Sequence, residues 1–429
     1  HTPLTEALRT THTHTALRGT HHHTPALTPT SDPTSTVPVR LVLEEYGSPE
    51  YLRAVPMERR EPLAGEVEIE VGAAGLNFRD VLVSMGMMRE HYATAYGMDE
   101  AGDIPLGFEC AGVVTAVGPD VTGLSVGDAV MAMTEGGFAD YVTVRAGQVA
   151  PLPEGLTVAE GATVPLAFLT AHYALNRLAG LRRGERVLIH AASGGVGSAA
   201  VQIARAAGAE VIATASAAKR DAVRAMGVTH VFDSRSTSFA DDIAAATAGQ
   251  GVDVVLNSLN GDFIPASLSV LAKGGRFVEM GKLGIWPVER MRRERPDAAY
   301  FPFDLGDDAE LDATLIPGLF EELRTLFAAG SLRPLPLTVY ARHEATQAYQ
   351  HMQHTKHIGK IVLRFDRSVV LSPDASYLVT GGLGGLGLRV GERLAEEGAG
   401  HIVLAGRRAE PTDDVRRSVA VMEGFGARV

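Results

Sequence analysis

"HAASGGVGSAAVQIARAAGAEVIATAS", residues 190–216, decides how this chain is read. The apolar run at residues 187–189 has the character of a buried strand, and residues 198–207 are the small residues of a tightly packed helix. Between them Ala192, Gly194 and Gly197 take the three positions of a G-x-G-x-x-G turn, with alanine in place of the first glycine and Gly195 and Val196 inside the interval. Each position has a physical purpose. The turn must be tight, the backbone must approach a pyrophosphate, and the helix must pack closely on the strand. The helix N-terminus then offers unpaired N–H groups to anionic phosphates. A strand before the pattern and a helix after it predict a dinucleotide-binding unit rather than a simple turn.

The end of the second strand indicates which dinucleotide. That run, "AEVIATAS", stops at Ser216 and is followed by Lys219 and Arg220, where NAD-binding versions usually carry an acid for the ribose 2′-hydroxyl. A hydroxyl and cations suit a 2′-phosphate. Arg235, in "DSRSTSF" after the next strand, adds another cation, so NADPH is expected over NADH.

Working outward, residues 161–315 alternate strands and helices, which implies a parallel sheet covered on both faces. Residues 38–160 are instead short β-rich runs cut by Gly, Pro and Asp turns, as in a compact barrel-like domain. A strand–helix–strand pattern at the end of residues 316–366 is expected to return to that first domain. Residues 1–37, rich in Thr, His and Pro, read as a flexible linker, and their histidines lack a scaffold for metal. A second glycine turn, "TGGLGGLG", opens another α/β unit over 376–429 after a linker at 367–375.

Composition excludes several classes. The 429 residues carry a formal charge of −12, with no basic stripe for nucleic acid. No apolar run approaches the ~20 residues of a membrane span, and no secretory signal opens the chain, so a cytoplasmic protein is expected. The single cysteine, Cys110, excludes an internal disulfide framework, suits a reducing compartment and reads as a small buried residue. A first residue of His1 rather than methionine reads as a processed or excised piece. A β domain before a dinucleotide domain invites comparison with zinc alcohol dehydrogenases. Here "GFECAG" places Phe108 where a zinc ligand would lie, and one cysteine cannot build their structural site, so no metal is expected.

"GLNFRDVLVSMG", "GFECAGVVTAVGPDVTGLSVGDAVM", "FLTAHYAL", "HAASGGVGSAAVQIAR", "VDVVLNSLNGD", "GGRFVEMGK" and "KHIGKIVL", in this order over about residues 38–366, resemble the enoyl reductase domain of modular polyketide synthases. The resemblance implies a zinc-free medium-chain reductase, with a GroES-like substrate domain and a Rossmann domain. Its reaction would be NADPH-dependent reduction of a trans-2-enoyl thioester carried on the phosphopantetheine of an acyl carrier protein. "YLVTGGLGGLG" resembles the start of the following ketoreductase, with Thr380, Gly381, Gly385 and Gly387 in its glycine motif and Arg407 and Arg408 after the next strand. This unit stops before a ketoreductase Tyr–Lys pair and is expected to be inactive. The implied neighbours are ketoreductase and dehydratase domains.

The resemblance also assigns residues. Lys282 matches a proposed proton donor and Asp304 its carboxylate companion, while Asn77, Thr170, Asn257, Gly281, Gly359 and Lys360 match cofactor-lining segments. Plainer readings stand beside these: Asn257 as a turn cap, "HIGK" as a turn into a strand, and Arg79 with Asp80 as a local ion pair. Many relatives carry a tyrosine where this chain has Met88, which cannot donate a proton, although Tyr92 and Tyr96 follow. Two other functions fit the same fold: a free-standing quinone or 2-alkenal reductase, and a catalytically silent domain that organises its neighbours.

Overall fold

The computed structural model describes residues 16–18, 21–23, 37–365, 371, 373–406 and 411–429. They belong to two units, His1–Phe365 and Asp366–Val429. Within the stretch read as a linker, Ala16–Arg18 and His21–His23 pair as antiparallel strands, and the rest of residues 1–36 lies outside the described residues.

In the first unit, six parallel strands form one sheet in the order His230–Asp233, Glu210–Ala215, Arg186–Ile189, Val252–Asn257, Leu271–Glu279, Ala299–Pro302. The order reverses between Arg186–Ile189 and Val252–Asn257. At such a switch point the strand ends part and leave a crevice for a ligand. Alternation along the strands builds two cores. Val187, Ile189, Ala213, Val254, Leu256 and Val278 face one cluster, while Leu188, Ile212, Val255 and Phe277 face the other. Helices therefore have to cover both faces, as expected.

The other sheet has seven strands, built around the long strand Glu66–Leu76, which pairs with Glu109–Val117, Tyr141–Arg145 and Lys360–Arg364. The C-terminal strands Leu337–Ala341 and Lys360–Arg364 do return to this domain. The helix Leu315–Ala328 does not. Its Ile316, Leu319, Phe320 and Leu323 pack in the cofactor-sheet cluster, so the crossing lies after this helix rather than at residue 316. An apolar stripe at helical spacing identifies a buried face, but not which of two cores receives it.

One buried ion pair lies within the β domain, and its carboxylate reaches across to the helix Pro165–His172. Lys360 Nζ lies 2.5 Å from Glu109 Oε1, and their side chains are 3% and 0% exposed. The same ammonium donates to Leu76 O at 3.0 Å and Asn77 Oδ1 at 2.6 Å. Glu109 also accepts from Asn77 Nδ2 at 2.9 Å and from Leu166 N at 2.8 Å, at the start of the helix Pro165–His172. Cys110, beside it, is fully buried, and burial pushes its thiol up to about 12.

In the second unit Ser376–Thr380 and His401–Ala405 pair in parallel, and the helices Gly385–Glu396 and Asp413–Gly424 cover one face. Leu378 and Val403 leave the other face apolar and exposed. Arg407 and Arg408 lie outside the described residues.

Lys360→Met should destabilise the protein by about 3–5 kcal/mol, because it strands Glu109 as a buried charge. Adding Glu109→Leu should recover part of that loss. Urea denaturation midpoints of the two variants test this, and equal midpoints for Lys360→Met and the parent would refute it.

Candidate active site

The glycine turn forms as the sequence demands. Gly194 caps the helix Gly195–Ala206. A Cβ on Gly197 would meet Ala191 O at 2.4 Å and Ala192 Cα at 2.7 Å, so the close packing of helix on strand requires glycine there. Ala192 is fully buried beneath it, which explains why alanine serves at the first position. Ala191 takes a left-handed φ of +48° to make the turn. The turn is also fastened from outside. Gly359 pairs with Gly194, and its N–H donates to Ser193 O at 2.8 Å. Gly359 has φ +69°, and a Cβ there would lie 2.0 Å from Pro336 O, so no other residue fits.

Beyond the turn, Ser216 begins a short turn that carries Lys219. Burial and the nearby Arg235 both lower the Lys219 pKa. Arg220 differs, since Asp233 neutralises it at 3.0 Å. Among the described residues Lys219 and Arg235 have no carboxylate within ion-pair distance; Arg235 Nη2 reaches only Thr355 Oγ1, at 3.3 Å. Two neighbouring cations without a counter-charge are a fitting place for a phosphate.

A cleft of about 650 Å³ runs between the domains. Asn77, Thr170, Val196, Gly281, Lys282 and Asp304 all line it, as do Arg79, Tyr96, Phe108 and Glu135. Lys282 Nζ pairs with Asp304 Oδ2 at 2.8 Å and donates to Phe303 O at 2.9 Å. Asp304 caps the helix Leu305–Leu311 by accepting from Gly306 N at 2.8 Å. Burial works to raise the Asp304 carboxyl, but Lys282 and Arg79 outweigh it and hold the group below the usual carboxylate range.

Three expectations change. Lys360 is not free to touch a cofactor, because the three acceptors in its buried cluster occupy its ammonium. Its stem supports the turn instead: a Cβ on Gly195 would sit 2.7 Å from Lys360 Cδ. Asn257 is fully buried and occupied by Leu259 O at 2.7 Å and Glu279 Oε2 at 2.6 Å, so it shapes the loop as a turn cap while Ser258 lines the cleft. Glu279, which sequence reasoning missed, also accepts from Gly281 N at 2.8 Å, and burial raises its carboxyl to about 7. Nor are Arg79 and Asp80 an ion pair. Asp80 is fully buried and accepts from Asn77 N and Gly107 N at 2.9 and 2.8 Å, whereas Arg79 turns towards Asp304. Met88 is packed in the β-domain core, 4% exposed. Tyr96 reaches the cleft and Tyr92 stands behind it, so the two tyrosines divide.

Known proteins share this two-domain fold. Residues 63–154 match the alcohol dehydrogenase GroES-like domain, residues 226–363 the zinc-binding dehydrogenase family, and residues 375–429 the KR domain. The crystal structure of CurK enoyl reductase is 49% identical with a TM-score of 0.74, covering 76% of this chain and 99% of that one. The chain belongs to the polyketide synthase enoyl reductases. The pikromycin polyketide synthase component PikAII of Streptomyces venezuelae is 43% identical over 391 residues, 89% of this chain, and the chain spans 10% of that relative's length. Escherichia coli quinone oxidoreductase, solved in complex with NADPH, is 26% identical with a TM-score of 0.68 and covers 76% of the chain. The enoyl reductase is thus an oxidoreductase of the medium-chain fold, with the two-domain architecture expected from its sequence. Despite the matched family's description, no cluster of three His, Cys, Asp or Glu side chains able to hold a metal occurs among the described residues.

Within the enoyl reductase, Gly197→Ala should lower stability by about 1–3 kcal/mol, because backbone atoms cannot yield to the added Cβ. Gly194→Ala should cost less than about 1 kcal/mol, since its Cβ would stand 3.4 Å from Ala191 O. Thermal melts of the two variants check the order.

Proposed function

We propose that this domain uses NADPH to reduce a trans-2-enoyl thioester, presented on the phosphopantetheine of an acyl carrier protein within a polyketide synthase. The observation that carries the reading is the Lys282–Asp304 pair, set in a cleft that the glycine turn also borders through Val196. The residues present suit the cofactor. The close turn at Gly194–Gly195–Val196–Gly197 accepts a pyrophosphate, and Ser216, Lys219 and Arg235 would hold the 2′-phosphate. Thr170 and Gly281 line the cleft. When bound, the reduced nicotinamide supplies the hydride for the β-carbon.

The protein's own residues do the rest. Asp304 orients the Lys282 ammonium and keeps it beside the substrate, and Lys282 gives a proton to the α-carbon. Phe108, Leu166 and Met133 line the cleft with apolar surface that suits an acyl chain and excludes water. Met88 offers no proton, so it does not set the face of α-protonation. The partners that follow from this reading are the carrier protein and the neighbouring synthase domains, in a reducing cytoplasm. No helix among the described residues is long and apolar enough to cross a membrane.

The test is oxidation of NADPH, followed by absorbance, with crotonyl-pantetheine as substrate. Lys282→Met should lower kcat by roughly 10²- to 10⁴-fold, with the NADPH affinity changed less than about threefold. A parent protein that binds NADPH but leaves the thioester unreduced would favour a silent organising domain. In parallel, Lys219→Glu should weaken NADPH by about tenfold or more, a change of about 1.4 kcal/mol, and leave NADH unaffected. Equal losses for both nucleotides would refute the 2′-phosphate assignment.

A further inference from the structure

We propose that the Arg79 guanidinium binds the carbonyl oxygen of the substrate thioester and carries the negative charge that gathers there during reduction. The proposal rests on the enoyl thioester reading above. Arg79 opens the helix Phe78–Ser84 and lines the same cleft as Lys282 and Asp304, with its side chain 21% exposed. Two contacts fix its plane. Nε donates to the Tyr92 hydroxyl at 3.2 Å, and the guanidinium carbon stands 4.9 Å from the centre of the Phe108 ring. Tyr92 is 1% exposed and cannot move aside.

The guanidinium is fixed but not saturated. Among the described residues its one ion-pair partner is Asp304, with Nη1 at 3.5 Å from Oδ2, longer than a hydrogen bond. That carboxylate lies closer to Lys282, at 2.8 Å. Two cations therefore share one carboxylate, and Arg79, which lines the cleft, makes no side-chain hydrogen bond among the described residues beyond the one to Tyr92. Glu135 lines the cleft as well, but stands beyond ion-pair distance of Arg79. Arginine suits this place because it stays protonated and presents a fork of donors to oxygen. Lysine, a compact group that can release its proton, suits the other.

Hydride addition forms the Cβ–H bond, the Cα=Cβ pair moves between Cα and the carbonyl carbon, and the carbonyl π pair moves onto oxygen. Arg79 hydrogen-bonds that enolate oxygen and keeps all its protons. The oxygen pair then returns, a Cα–H bond forms with a proton from the Lys282 ammonium, and the resulting amine regains a proton from solvent. A fixed donor aimed at the atom where charge develops is the most effective electrostatic aid in such reactions.

The probe is acetoacetyl-pantetheine, a β-keto thioester whose enolate absorbs in the near ultraviolet, mixed with the whole chain without cofactor. The parent should raise the enolate absorbance, Arg79→Gln should lose at least nine-tenths of the increment, and Arg79→Lys should keep an intermediate share. An unchanged signal in Arg79→Gln, or none in the parent, overturns the proposal. Thermal melts confirm that each variant is folded, and Arg79→Lys serves if Arg79→Gln is not. With crotonyl-pantetheine, Arg79→Gln should lower kcat by roughly 10²- to 10³-fold, and Arg79→Gln with Asp304→Asn should be slower than Asp304→Asn alone. Equal rates for these last two would mean that Arg79 acts only through Asp304, against the proposal. Reduction of a quinone but not of the thioester, with the enolate signal present, would refute the assigned substrate and leave the Arg79 oxygen site standing.

Discussion

The Lys360–Glu109 ion pair is the constraint on which the cleft depends. Removing two charges from water costs several kcal/mol per ion unless every proton and lone pair nearby finds a partner. Here Glu109, Asn77 and Leu76 take the ammonium, while Asn77 and the Leu166 amide complete the carboxylate. Two of these partners stand at the start of walls of the cleft. Asn77 starts the helix that carries Arg79, and Leu166 lies at the start of the helix that carries Thr170. The lysine stem underlies Gly195, where the dinucleotide turn becomes a helix. A shift at the pair would move three walls together, which makes it a device for geometry more than for stability.

Asp304 plays a comparable part at smaller scale. It caps its own helix, orients Lys282 and attracts Arg79. One carboxylate is thus shared between two cations, Lys282 and Arg79, while Glu135, Asp307 and Glu310 also line the cleft. Tyr96 reaches Asp307 at 3.4 Å and Tyr173 reaches Asp308 at 2.9 Å, so the helix Leu305–Leu311 is tied to the β domain on one side and to the cofactor domain on the other.

Local requirements were legible in the chain. The turn at residues 191–197 needs glycine because a Cβ at Gly197 would strike the backbone, and a spacing rule registers such a need without coordinates. Lys282, Asp304, Thr170 and Gly281 were assigned through the resemblance, and all reach the same cleft. Lys360 and Asn257 match the same segments and point elsewhere. Side-chain direction at a strand terminus depends on which buried acceptors wait there: for Asn257 they are Leu259 and Glu279 on the neighbouring loop and strand, and for Lys360 the carboxylate of Glu109, 251 residues away.

The sequence by itself therefore determined the two-domain reductase fold, the dinucleotide turn and the basic residues after the second strand. The β-rich and α/β domains, the turn and the cations follow from hydrophobic period, glycine sterics and charge over short spans, whereas the reductase assignment follows from the family resemblance. Only the tertiary structure decided that Lys360 is a buried tie, that Arg79 leaves its neighbour Asp80 for Asp304, and that the helix Leu315–Ala328 belongs to the cofactor core. The physical reason is the same in each case. A charged or apolar side chain goes to the partner that offsets its desolvation best, and that partner is chosen by the folded whole.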